Sequence, residues 1–185
     1  MISRKEEIPV IPPKEIIIGN PAASVTLTQF VDYESEKCAQ VHEIVKVIMK
    51  TFEGKVNFNF RHFPLVSVHQ RAHKAAEAAI GAAQDGKFLE MHQILLENRR
   101  HLGTVTLKLY AKEAGVTNKS FLNDLINCKY GWYVQDDLKH GIDLGVKEAP
   151  AFFINDERLE GNITVKSLSA FINSALKKRK VKKAA

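Results

Sequence analysis

Residues 24–52, SVTLTQFVDYESEKCAQVHEIVKVIMKTF, constrain this chain more than any other stretch. Val25, Leu27 and Val31 alternate onto one face of a strand over Val25–Val31, and Phe30 gives the other face an apolar member. Apolar residues on both faces place that strand inside a sheet rather than at its edge. After Ser35 the period changes. Cys38, Val41, Val45, Ile48 and Phe52 recur at steps of three and four, and Ile44 and Met49 widen the stripe. The spacing predicts an amphipathic helix to about Phe52. Its first residues follow a serine, whose hydroxyl suits the free amides of a helix start.

The rest of the chain fits around this unit. Residues 1–18 read as a lead-in, with Glu15–Ile18 a short edge strand closed by Gly19-Asn20-Pro21. Gly54 marks the end of the long helix. Val56, Phe58 and Phe60 then alternate with polar neighbours, a second strand over Lys55–Phe60. From Ser67 to Cys128 the periods are helical, over about Ala72–Ala83, Phe88–Asn98, Thr106–Glu113 and Asn118–Cys128. A helix over Tyr133–Leu144, a strand over Ala151–Ile154, a turn at Asn155-Asp156, a short strand to Leu159 and a helix over Thr164–Leu176 complete the order. Two halves of a small sheet, 19–66 and 129–176, thus flank an inserted helical subdomain at 67–128, an α/β arrangement. Residues 177–185 are left as a basic tail.

Charge narrows the classes of function. The tail holds Lys177, Lys178, Arg179, Lys180, Lys182 and Lys183 of the 27 basic residues, and the remaining 21 match the 21 acidic ones. The body is formally neutral and the tail is expected to be solvated and disordered. No aromatic residue interleaves with these lysines, which argues against a stacking groove for nucleic acid. No apolar run approaches the roughly 18–20 residues of a membrane span. No uninterrupted apolar segment follows the first charges, so a secretory signal is not expected. Two cysteines ninety positions apart make neither a disulfide framework nor a zinc site, and suit a reducing compartment. A cytoplasmic location is the expectation.

Four local sequences carry a resemblance. Asp32-Tyr33-Glu34 ends the first long strand, Arg61-His62-Phe63-Pro64-Leu65 leaves the second, Gly86-Lys87-Phe88-Leu89-Glu90-Met91-His92 opens a helix, and Gly145 to Asn155 reads GVKEAPAFFIN. Together, and in this order, they resemble the DsbA-like branch of the thioredoxin superfamily over roughly Gly19 to Leu176. The resemblance implies a thioredoxin-like fold with an inserted helical subdomain, and a cis-proline at Pro150 whose preceding residue, Ala149, offers backbone groups to an extended peptide or glutathione. That family places a C-P-Y-C-like motif where this chain has Ser35-Glu36-Lys37-Cys38. The first sulfur and the Pro-Tyr pair are both missing.

That departure bears directly on chemistry. Dithiol exchange needs an exposed thiolate at the helix start and a second thiol to resolve the mixed disulfide. A serine hydroxyl is hardly ionised, and no base stands beside Ser35 in sequence. Ser35 reads first as a helix cap, and otherwise as a hydroxyl for a glutathione sulfur. Cys38 is either a buried core thiol or a partly accessible one. Cys128 lies in the helical block and is not expected to replace the missing sulfur. Glu36 and Lys37 give the site's edge mixed charge. His42 reads as a surface or boundary residue. His69 and His73, four apart, lack a third ligand and read as a solvated helix face, so no metal is expected. Tyr130, Trp132 and Tyr133 are explained by helix packing.

Three functions follow from these residues. The first is a single-thiol oxidoreductase using Cys38 with glutathione or a protein thiol. The second is a non-catalytic module binding an extended peptide beside Pro150. The third is a serine-dependent glutathione transferase or isomerase using Ser35. None requires a resident cofactor, and glutathione would enter as a co-substrate.

Overall fold

The computed structural model describes residues 9–184. Its strands are β1 (Ile17–Ile18), β2 (Thr26–Val31), β3 (Asn57–His62), β4 (Ala151–Ile154) and β5 (Glu157–Arg158). Its helices are α1 (Glu36–Thr51), α2 (Ala72–Ala83), α3 (Phe88–Glu97), α4 (Thr104–Glu113), α5 (Phe121–Ile126), α6 (Gly131–Asp143) and α7 (Val165–Ala184). The sheet order is β1-β3-β2-β4-β5. β2 lies at the centre, parallel to β3 and antiparallel to β4. This is a thioredoxin-like fold, with α2 to α5 between β3 and α6.

Strand burial explains the order. Leu27, Phe30 and Val31 are each at most 1% exposed, because β2 is paired on both edges and covered on both faces. A helical crossover, α1, joins the parallel pair β2 and β3. β3 lies two residues later than the periodicity suggested. The reason is register: Leu27 pairs with Phe58 and Val31 with His62, so the ladder runs to the end of β2. The lead-in is tied down rather than loose. Pro13–Glu15 makes a turn of 3-10 helix, and the buried Asn59 donates to Pro13 O at 2.8 Å and Ile16 O at 3.0 Å.

Two features were not visible in the pattern. Gly141 in α6 faces the aromatic core, where a Cβ would stand 2.6 Å from Phe63 Cδ2 and 3.0 Å from Phe30 Cε1, so only glycine lets this helix approach. The basic segment from Lys177 continues α7 to Ala184 instead of forming a disordered tail. Lysine and arginine are good helix formers, and no glycine or proline interrupts them. The packed half of the helix, anchored by the fully buried Leu168 and Ile172, supplies the costly nucleus.

Candidate functional site

The site grows from the β2–α1 junction. Asp32, 1% exposed, accepts from the amides of Glu34 (2.8 Å) and Leu65 (2.8 Å) and lies 2.8 Å from His69 Nδ1. Glu34 Oε2 accepts from the amides of Arg71 (2.7 Å) and Ala72 (2.9 Å), capping α2 from across the connection. These two carboxylates fix the strand exit, and thereby the start of α1, against the segment that follows β3. Between them Tyr33 is buried, with its hydroxyl 2.9 Å from His92 Nδ1.

Ser35 caps α1. Its Oγ accepts from the Cys38 amide at 3.3 Å and donates to Ala149 O at 3.4 Å. With 7% of its surface exposed, the hydroxyl is committed to the protein on both counts. Cys38 follows one turn later and faces the core, 0% exposed. Burial pushes its thiol up from 9.0 to about 12, although the Asp32 amide donating to Sγ at 3.5 Å and the Ser35 hydroxyl work the other way. At neutral pH such a thiol carries about a thousandfold less thiolate than an ordinary one. A helix start lowers a sulfur's pKa only where the sulfur can meet the free amides, and here that place holds oxygen.

Across from Ser35 the Ala149–Pro150 peptide bond is cis. A groove of about 630 Å³ runs beside it, lined by Lys37, Gln40 and Val41 of α1 and by residues 148–152 and 158–164. β5 pairs only with Phe153 and Ile154, and Leu159 N donates to Phe152 O at 2.9 Å. The outer edge of residues 149–151 therefore has no strand partner among the described residues. Lys37 and Glu148 meet at 3.0 Å over the mouth, both more than 60% exposed, a contact of little stabilising value. Glu36 instead turns to Arg99 (3.1 Å) and does not line the groove.

A family model described as Thioredoxin matches residues 12–174. The chain belongs to this thioredoxin family. Among curated relatives, the Na(+)/H(+) antiporter NhaA 3 of Salinispora tropica is 32% identical over 168 residues, covering 91% of this chain but 26% of that one. The Na(+)/H(+) antiporter NhaA 1 of Mycobacterium sp. (strain KMS) is 31% identical over 155 residues, 83% of this chain and 25% of its own length. The thioredoxin-family chain thus spans about a quarter of the relatives it matches. No helix among its described residues is long and apolar enough to cross a membrane. Solved structures agree on the fold. BdbD of Bacillus subtilis superposes with a TM-score of 0.79 at 21% identity, covering 90% of this chain and 93% of that one. The thiol-disulfide exchange protein alpha-DsbA2 of Wolbachia pipientis gives 0.74 at 22% identity, covering 86% of each.

Other sequence candidates are placed differently than the pattern suggested. His42 is not a boundary residue but 7% exposed, its ring 5.2 Å from that of His92 where α1 packs on α3. His69 and His73 do not share a helix face: His69 precedes α2 and engages Asp32, whereas His73 lies 3.4 Å from Glu77 Oε1. Tyr130 is buried, as packing requires, but Trp132 stands 81% exposed. The His42–His92 pair gives this thioredoxin-family chain an acid limit. Burial lowers both imidazoles below their ordinary 6.5, with the Lys46 ammonium acting in the same direction on His42 and the crowding by other imidazoles acting so on His92. The unfolded chain then binds more protons than the folded one as pH falls through 6.5, so this contribution to stability is full above that value and is lost below it. The urea midpoint is expected to fall between pH 7.5 and 5.5, and His92→Gln should flatten the slope.

Proposed function

We propose that this chain is a peptide-binding module of DsbA-like fold that holds an extended polypeptide beside Pro150 without exchanging disulfides. One observation carries the reading: the groove at the unpartnered edge of residues 149–151 is open, while the only thiol at the site, Cys38, is buried and pushed to about 12. An extended segment entering the groove would add backbone hydrogen bonds along that edge, with Lys37, Glu148 and Arg158 at its rim for polar side chains. Ser35 disfavours glutathione chemistry, because its hydroxyl already accepts from Cys38 N and donates to Ala149 O. Two free cysteines suit a reducing cytoplasm, the compartment we propose for the module. The antiporter names belong to the longer relatives, and ion transport is not part of this proposal.

An unfolded polypeptide with its cysteines carboxymethylated tests the reading by fluorescence anisotropy. Saturable binding is expected, weakened at least about tenfold by Gln40→Trp, which fills the groove from an exposed position on α1. Absence of binding, or binding unchanged in Gln40→Trp, would overturn it.

A further inference from the structure

A second hollow, of about 400 Å³, lies between the lead-in, the end of β3 and α6, and none of its lining residues lines the groove beside Pro150. Val10, Pro12, Pro13 and Tyr133 supply apolar wall. The proline rings fix their own backbone, and Asn59, donating to Pro13 O and Ile16 O, ties that wall to the sheet. The hollow is thus formed before anything enters it. Arg61 projects into it from the last turn of β3. Its side chain is only 12% exposed, and Nε alone is engaged, by Asp137. Asp137 is itself committed to Arg61 and His62 on its two oxygens. The terminal nitrogens of Arg61, with four of its five N–H groups, make no hydrogen bond among the described residues. A guanidinium so far out of water calls for an acceptor, and its planar fork matches a carboxylate. Lys14, Glu15 and Asp136 line the same hollow, and none of the three is hydrogen-bonded or ion-paired through its side chain among the described residues. Charges of both signs therefore share one space without neutralising one another. A plain anion would meet the two carboxylates there, and a plain cation would meet the guanidinium and the ammonium. A molecule bearing both charges satisfies both sets.

We propose that this hollow binds a free α-amino acid with an apolar side chain. Its carboxylate takes the terminal nitrogens of Arg61 as a bidentate pair, with Lys14 adding attraction for the same group. Its ammonium donates to Asp136 and Glu15. Its side chain lies against Pro12, Pro13 and Tyr133. Arg61 keeps its Nε bond to Asp137 throughout, so the joint between β3 and α6 stays intact.

The test is isothermal titration of the full chain with L-leucine at pH 7.0. Saturable binding of one molecule per chain is expected. It should be at least about tenfold tighter than that of N-acetyl-L-leucine, which lacks the ammonium, or of L-leucinamide, which lacks the carboxylate. Asp136→Asn combined with Glu15→Gln, both at exposed positions, should weaken L-leucine at least about fivefold and leave N-acetyl-L-leucine no weaker. No saturable binding of L-leucine up to about 10 mM, either analogue binding as tightly as L-leucine, or an unchanged affinity in the double variant would overturn the proposal. The ligand series is measured on the unaltered chain and decides the matter even where the double variant fails to fold.

Discussion

Ser35→Cys is expected to create dithiol exchange at the β2–α1 junction. The cap position already receives the Cys38 amide at 3.3 Å, and a sulfur there gains that donor together with the positive end of a sixteen-residue helix. The new thiol should react with a disulfide reagent at pH 7 at least about tenfold faster than free cysteine. Cys38, one turn behind and shielded from solvent, is placed to resolve the mixed disulfide. Insulin reduction in the presence of dithiothreitol measures the gain. A folded Ser35→Cys variant with no turnover would show that the loss lies in the surrounding scaffold as well as in the missing atom.

The largest loss of stability is expected away from the groove. Asp137 on α6 is 1% exposed; it accepts from Arg61 Nε and from His62 N at 2.9 Å, and lies 2.8 Å from His62 Nδ1. It joins α6 to the last residues of β3, the strand whose exit segment Asp32 and Glu34 hold. Asp137→Ala leaves a nearly buried guanidinium and a buried imidazole without their acceptor, at a cost of about 3–5 kcal/mol. Thermal unfolding should drop by about 6–20 °C. Glu148→Ala, which breaks only the solvated pair with Lys37, should cost less than about 1 kcal/mol. Equal effects of the two substitutions would refute the contrast.

Much of this molecule could be read from its residues because local pattern and tertiary environment agree. The stripe Cys38, Val41, Val45, Ile48 lies on the buried face of α1, and α2 and β4 begin and end where their periods change. What was hidden depends on contacts distant in sequence. Nothing near His42 announces His92, fifty positions on, whose ring makes a buried face of a polar position. Arg61 and His62 at the end of a strand imply a buried acid, but not that Asp137 supplies it. Trp132 is a common packing residue, and only the fold reveals that α6 turns it outward. The site divided in the same way. Ser35 as a cap was legible from type and position, whereas the hollow at Arg61 depends on Pro12, Pro13 and Asp136 arriving from the lead-in and from α6.

The central claim is that the framework of an exchange protein survives here around a thiol that does not react. Site-resolved alkylation of the unaltered chain by iodoacetamide at pH 7.5 tests it most directly. Cys38 is expected to stay unmodified in the folded protein for as long as it takes to label it completely in urea. Prompt alkylation of Cys38 under native conditions would contradict the account and return this chain to the thiol-dependent oxidoreductases.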